Sequence, residues 1–484
     1  MEAKFKQLQN NIDKASVKLS LEDVIKLAIA NNSKLRGAYR SIQSSSWQKT
    51  AATRTWLPTL TLETLDYGVT SENTNQQHYT YNKPMVDVSH SLTDLNAVKH
   101  NVVNLNQRGW NKQLNINEYS NNRKFNASGS LAWEIFDPTR QPNINKSSEN
   151  YKSYNLIFET AARSLILELQ TTYFELQSLK EIIRQYIELY NTNKSSMKIV
   201  LDQYVIEYAS LLDLQQAKTQ TLTQLTSLLE YYNRYITKAA TLAERINVDD
   251  ISMIVPAETL ELKGEWNLPI DDTVQKGKSE REEIKNAIAL SEKERWTGLS
   301  LLAKYIPSFG LVGRIATSNT EGYNDSSLEH SKKNNWSSLN RWHSSVMVNM
   351  KWRFDGGVDD ANAQSYFKQS QKYLDDARQK EFEVASQIIS SYGQYELAKI
   401  EVEAARQGLE SAKIAQRVAR ERYSIGMSDY TTVVLSTTSL ALSGNKLYQS
   451  ISNHNRAVAQ LYRYSATWPE GTQELLTNLM EELK

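Results

Sequence analysis

The chain carries one ordered series of signals twice, at matching distances. Leu19-Ser-Leu-Glu-Asp23 leads, 39 residues after Leu19, to the proline of Trp56-Leu-Pro58, and Leu268-Pro-Ile-Asp-Asp272 leads, 39 residues after Leu268, to the proline of Tyr305-Ile-Pro307. After each proline comes a segment that alternates apolar and polar residues. A second alternating segment follows and ends in Phe-Asp, at Trp133-Glu-Ile-Phe-Asp137 and at Trp352-Arg-Phe-Asp355. Self-similarity of this kind means one structural plan built twice. In each half the plan reads helix, strand, loop, strand, long helical region.

The first repeat is expected over 19–246, with a helix at 20–56, strands near 58–69 and 126–136, a loop at 70–125 and a helical hairpin at 138–246 turning near 207. The second is expected over 268–468, with a helix at 270–306, strands near 308–317 and 342–354, a loop at 318–341 and a hairpin at 356–468 turning near 426. Tails of 1–18 and 469–484 and a connecting segment of 247–267 complete the chain.

Composition supports long helices. Gly numbers 17 and Pro 8 among 484 residues, well under the ordinary combined share of about 12%. No Gly falls between Gly129 and Gly264, and no Pro between Pro142 and Pro256. Within that stretch Phe158, Ala162, Leu165, Leu169, Thr172, Leu176, Leu179, Ile183, Tyr186 and Tyr190 keep a 4,3,4,3 spacing, a coiled-coil seam. The second half has its own, through Ala398, Val402, Ala405, Leu409, Ala412, Gln416, Ala419 and Tyr423. Ile166, Tyr173, Phe174, Ile182 and Ile187 widen the first apolar face, so each helix is expected to touch neighbours on two sides. A ring of helices needs this, and a globular bundle would look similar.

The strands alternate cleanly. Ala127, Gly129, Leu131, Trp133 and Ile135 share one parity, as do Val346, Val348, Met350, Trp352 and Phe354, with polar residues between them. The segment after Pro58 shows a parity slip between Leu62 and Leu65. Each segment has about the 9 to 11 residues that cross a membrane as a β-strand. A half-buried soluble sheet gives the same pattern. Four strands cannot close a barrel, and a lone four-stranded sheet leaves two edges and one face uncovered. Three copies would supply twelve strands, an even number within the range of membrane barrels.

Other classes are disfavoured. Lys and Arg total 56 against 55 Asp and Glu, a net charge of +1, so nucleic acid is not an expected partner. Cysteine is absent, which removes disulfides, thiolate metal sites and Cys nucleophiles. No apolar run is long enough for a transmembrane helix. Met1 to Ser16 lacks the apolar core of a secretory signal, so the chain as numbered is expected to be either cytoplasmic or a processed mature chain. Phosphate loops, nucleophile elbows and paired catalytic carboxylates are missing. No enzyme activity and no cofactor or metal is expected, and the histidines at 78, 90, 100, 330, 343 and 454 are expected to be ordinary surface residues.

Over roughly 19 to 468 the chain resembles the TolC-like outer-membrane efflux proteins. The resemblance rests on the duplicated start, the [WY]-[LI]-P before the first strand of each half, the Phe-Asp after the second, and above all on the helical turns. The family turn reads approximately R-Y-x-x-G-x-x-S-x-x-D-[VL]-L-x-A. Here the second half gives Arg422-Tyr-Ser-Ile-Gly426-Met-Ser-Asp-Tyr-Thr-Thr432, with Thr432 in place of the family Asp. The first gives Gln203-Tyr-Val-Ile-Glu207-Tyr-Ala-Ser-Leu-Leu-Asp213-Leu-Gln-Gln-Ala217, with Glu207 in place of Gly.

The resemblance implies a mainly α chain, internally duplicated, whose homotrimer joins an α-helical barrel in the periplasm to a 12-stranded β-barrel in outer-membrane lipid. It implies an exit duct of a tripartite efflux or type I secretion system, working with a periplasmic adaptor and an inner-membrane transporter. Segment 70–125 would then be an extracellular loop and 247–267 an equatorial segment. Adaptor docking would fall to Ile206, Glu207, Tyr208, Ala209, Ser210, Ile425, Gly426, Met427, Ser428 and Asp429. The periplasmic gate would fall to Asp213, Tyr423 and Thr432. Trp56, Tyr67, Trp133, Tyr305, Trp342 and Trp352 would mark the membrane interfaces. The competing readings are a soluble elongated coiled-coil scaffold and a stand-alone pore or adhesin.

Overall fold

The computed structural model describes residues 14–80, 112–249, 252–327, 335–469 and 471–482, together with 7, 10 and 12. The chain packs as two units. Met1–Ala52, Gln141–Leu301 and Val358–Lys484 make a helical unit, and Thr53–Arg140 with Leu302–Gly357 make a sheet unit. The chain is mainly helical, with a small four-stranded sheet.

In the helical unit each half contributes a short helix pair and a long hairpin. The first half has α1 (Leu21–Asn31), α2 (Ser33–Arg54), α3 (Arg140–Val205) and α4 (Leu211–Ile246). The second has α5 (Ile270–Glu280), α6 (Glu282–Ala303), α7 (Val358–Ser424) and α8 (Tyr430–Tyr464). The long helix α3, of 66 residues, runs about 100 Å at 1.5 Å per residue. The seams pack as the heptads demand: Leu169, Leu176, Ala398 and Val402 are buried, as are the off-seam Tyr173, Phe174 and Ile182. Among the described residues no helix is long and apolar enough to cross a membrane.

The helices expected at 20–56 and 270–306 are each broken once, at Asn32 and Arg281, both in extended backbone. Each break stands 13 residues after the first leucine of its repeat. The causes are local. Asn32 accepts the Leu35 N–H on its Oδ1 and donates from Nδ2 to the Arg245 carbonyl near the end of α4. An Asn side chain that caps the next helix competes with continuation of the first. Arg281 instead forks onto the Glu283 carboxylate and reaches the Tyr464 carbonyl at the end of α8. In both halves the break residue ties down the returning helix.

A buried charge cluster surrounds the second break. Arg163 on α3 bonds Glu282 at 2.5 Å, and Arg463 on α8 bonds Glu283 at 2.6 Å. Arg163 also stacks on Trp468, 3.7 Å from the ring centroid. Burial pushes the Glu283 carboxyl up, but hydrogen bonding from Arg281 and the nearby Arg463 charge outweigh it and hold the group down at about 2. Deleting one member of such a cluster strands its partners and costs about 3 to 5 kcal/mol.

Three segments expected as tails or connectors hold regular structure. In the tail 1–18 and the connector 247–267, β1 (Ser16–Leu19) pairs in parallel with β4 (Met253–Pro256). In the C-terminal tail, α9 (Thr472–Glu482) buries Leu476 and Leu479, and the Met480 carbonyl accepts from the Tyr39 hydroxyl at 2.8 Å.

The sheet unit holds β2 (Thr59–Thr80), β3 (Lys112–Phe136), β5 (Ser308–Ser327) and β6 (Asn335–Lys351), antiparallel in the order β2-β3-β5-β6. The strands run well past their expected ends. Positions 70–80, 112–125, 318–327 and 335–341, expected as loops, are paired strand, and 81–111 and 328–334 lie outside the described residues. The strand expected to reach 354 ends at Lys351. Much of the outer stretches, such as Thr70-Ser-Glu-Asn-Thr74, is polar at both parities, and Leu114 and Ile116 fall at the parity opposite to Leu131, so no apolar alternation continuous with the inner band announces them although the backbone ladder continues.

Candidate functional site

The two faces of the sheet differ sharply. Residues directly opposite in an antiparallel pair share a face, so Leu60, Leu131, Gly313 and Val346 lie in one row, and Trp133, Leu311 and Val348 in another. On this face Leu62 is 72% exposed, Val346 77% and Val348 76%. The opposite face carries Thr61, Ser130, Arg314, Ser345 and Asn349. The parity slip in β2 is a bulge between Thr64 and Asp66. One extra residue there returns Tyr67, opposite Phe125, to the face of Leu60 and Leu62. The bulge keeps the apolar face continuous.

Four of the six expected interface aromatics gather at one end of the sheet, in matched pairs. Trp133 Nε1 donates to the Trp56 carbonyl at 3.0 Å, and Trp352 Nε1 donates to the Tyr305 carbonyl at 2.9 Å. The Tyr305 hydroxyl in turn donates to Asp355 Oδ1 at 2.7 Å. Arg140 lies over the Trp56 ring, 4.2 Å from its centroid, and donates to the Glu134 carbonyl. Tyr67 and Trp342 are exposed further along the strands. From Trp56 and Trp133 to Tyr67 is about 30 Å along the strand, or about 23 Å after the usual tilt, close to the apolar band of a membrane barrel.

The two hairpin turns share one backbone geometry. Glu207 N–H donates to the Tyr204 carbonyl at 3.0 Å and Tyr208 N–H to Gln203 at 2.9 Å; Gly426 N–H donates to Tyr423 at 3.0 Å and Met427 N–H to Arg422 at 2.9 Å. This double bond is the Schellman closure, which needs a left-handed residue. Glu207 has φ 61° and Gly426 φ 74°. Glu207 therefore takes the turn that glycine takes. The turns also touch, since a Cβ added to Gly426 would stand 2.8 Å from the Tyr208 hydroxyl.

The residues after the turns start the returning helices. Ser210 is the N-cap of α4 and Asp213 its reciprocal partner: Asp213 N–H donates to Ser210 Oγ at 3.1 Å, and Ser210 N–H donates to Asp213 Oδ2 at 3.1 Å. In α8 the N-cap is Asp429, without a side-chain cap bond, and Thr432 stands where Asp213 stands in α4. The missing family Asp is thus a missing capping-box partner. Within the chain the Asp213 carboxylate is engaged by Ser210, while Tyr423 packs edge-on against Tyr430 at 5.0 Å. Burial and the Asp213 charge push the Tyr423 hydroxyl up to about 12.

Sequence reasoning overlooked several exposed apolar residues at the turns. Val205, Leu211 and Leu212 stand exposed beside Ile206, Tyr208, Ile425 and Met427. Their signal was present, as apolar residues next to a turn and off the heptad seam. Among the histidines His343 is exposed on the sheet, but His454 is buried, its ring 5.3 Å from Tyr395 and its Nδ1 3.3 Å from Asn455 Oδ1. His90, His100 and His330 lie outside the described residues.

No family model and no curated protein sequence matches the chain. Solved structures do. CusC, described for its folding and transmembrane channel formation, superposes with a TM-score of 0.70 at 15% identity over 94% of this chain and 94% of its own. The chain has the fold of the TolC-like outer-membrane channels. The outer-membrane channel OprN gives 0.67 at 14% identity over 93% of this chain and 90% of its own. The Campylobacter jejuni CmeC outer membrane channel gives 0.66 at 16% over 96% and 90%. With such coverage the likeness takes in both the helical unit and the sheet unit. At these identities it is a likeness of fold.

Proposed function

We propose that the chain is the outer-membrane exit duct of a tripartite efflux or type I secretion system. The observation that carries the reading is the sheet: four long strands with one exposed apolar face, one polar face and two unpaired edges. Water would not tolerate so large an apolar face, and lipid requires a closed barrel. Three chains close twelve strands, with the polar faces lining the lumen. The paired hooks of Trp56 with Trp133 and Tyr305 with Trp352 would then sit at one membrane interface, with Tyr67 and Trp342 toward the other.

The helical hairpins form the periplasmic part of this duct. Their turns, 206–210 and 425–429, offer exposed apolar side chains on a rigid closure, a surface suited to the helical hairpin of an adaptor. An inner-membrane transporter supplies the energy. Asp213, Tyr423 and Thr432 surround the aperture as its gate. The matched breaks at Asn32 and Arg281, the matched hooks and the matched turns support descent of the two halves from one duplicated unit.

Planar-bilayer recording of detergent-purified protein tests the reading: trimers conducting in discrete steps are expected, and a water-soluble monomer without conductance, as a scaffold would be, refutes it. Asp213→Ala is expected to raise closed-state conductance several-fold. Ser210→Ala loses the same capping box but keeps the charge, so an equal rise in both variants would assign the effect to the cap and not to a gate.

A further inference from the structure

We propose that the helical unit binds one small inorganic anion, chloride, in a cavity between α3, α8 and the segment that follows α8, held by the guanidinium groups of Arg163 and Arg463. The cluster around the second helix break sets three buried guanidinium groups, of Arg163, Arg281 and Arg463, against the carboxylates of Glu282 and Glu283. Arg163 Nε donates to Glu282, while Arg281 and Arg463 Nη2 donate to Glu283. Arg163 Nη1 and Arg463 Nη1 are left buried without a hydrogen bond. Arg463 Nη1 stands 3.9 Å from Glu282 Oε2, beyond hydrogen-bond reach. A buried cationic donor without an acceptor is costly, and a cluster with more guanidinium groups than carboxylates compounds the cost.

Both arginines line one cavity, whose wall also includes the amide of Gln170 and the hydroxyl of Thr467. The other walls are largely apolar, with Ala459 and Trp468 among them, and Arg163 stacks on the Trp468 ring. Among the described residues no carboxylate lines the cavity. Glu282 Oε2 is itself unpaired, but Glu282 lies off the wall. Glu159, one helical turn before Arg163, lies off it too, and burial together with the Glu282 charge pushes its carboxyl up.

These walls select by charge and by size. Guanidinium groups offer donors only, and a donor bond to an anion is stronger than one to a neutral acceptor. A water would accept from both arginines but leave their charge uncompensated among apolar walls. The cavity measures about 10 Å³, the room of a single water. Phosphate, sulfate and carboxylates are too large for it, which leaves a halide ion little larger than water. An anion here ties α3 to α8 beside the break at Arg281 and completes the cluster.

Thermal unfolding of the purified full chain in detergent tests this, with sodium chloride compared against sodium gluconate at equal ionic strength. Chloride is expected to raise the midpoint by about 2 °C, with a gain that saturates as a single site does. Ala459→Val puts two methyl groups into the cavity, leaves both arginines in place, and is expected to abolish the gain. A general salt effect would persist in that variant. Crystals of the parent chain soaked in sodium bromide give a second reading that needs no variant: an anomalous peak within hydrogen-bond reach of both Nη1 atoms is expected. Equal midpoints in the two salts, a chloride gain that Ala459→Val retains, or bromide peaks only elsewhere would overturn the site. Conductance enters none of these measurements, so the site and the exit-duct reading stand or fall separately.

Discussion

Glu207 sits in the left-handed region at φ 61°, where a residue with a Cβ is strained by about 1 kcal/mol or more relative to glycine. The hydrogen bonds that close its turn match those around Gly426, so the geometry does not depend on the residue type. Glu207→Gly is expected to raise stability by about 1 kcal/mol, seen as a higher urea midpoint at unchanged slope. Gly426→Ala should lower it, because the added Cβ meets both the positive φ and the Tyr208 hydroxyl. Equal midpoints for Glu207→Gly and the parent would mean that the turn stores no strain. The turn residues were legible in the sequence because glycine, tyrosine and capping residues fall at fixed offsets. The capping role of Asp213 was not, because a carboxylate suited to a gate is equally suited to a cap until its partner is placed.

Among the elements, the strands were readable only where their faces differ. Alternation exposed the band from Leu60 to Trp133 and from Phe309 to Met350, but the stretch from Thr70 to Thr80 continues as ladder with almost no apolar contrast, and in the stretch from Lys112 to Asn122 Leu114 and Ile116 fall at the parity opposite to Leu131. A pattern method senses burial, and a strand polar on both faces gives it nothing to sense. The helix breaks escaped for a related reason, since Asn32 and Arg281 act through partners more than 180 residues away, at Arg245 and Tyr464. The apolar band makes a directional prediction. Val348 lies on the apolar face and its neighbour Met347 on the polar one, both exposed. Val348→Lys is expected to cost about 2 to 4 kcal/mol in a lipid setting and to deplete folded protein from the membrane fraction, whereas Met347→Lys should accumulate normally. Equal accumulation of both would show that neither face meets lipid.

For the whole molecule the question is how an open sheet becomes tolerable. Among the described residues the strand order leaves β2 and β6 each with an unpaired edge, and unpaired edges inside hydrocarbon would leave backbone donors and acceptors without partners, each at a cost of several kcal/mol. Over a strand crossing of about ten residues the penalty far exceeds the stability of an ordinary domain. One chain cannot remove it, because four strands are too few to close. Pairing β2 of one copy with β6 of the next removes both edges at once, and rotational symmetry then requires every copy to do the same. The number of copies follows from curvature: two would give eight strands, a barrel whose interior is filled by side chains, while three give twelve and leave a lumen. The polar face, with Arg314 and Asn349 on it, suits water better than a packed interior. Detergent extracts are therefore expected to contain a species of three 55.4-kDa chains, measured by light scattering with the detergent subtracted. The absence of cysteine allows single cysteines placed on β2 and β6 to report the contact, with oxidation of the doubly substituted chain yielding bands no larger than trimer. A dimer by mass, or a ladder extending beyond three chains, would mean that the edges close in another way and that the lumen argued from the polar face does not exist.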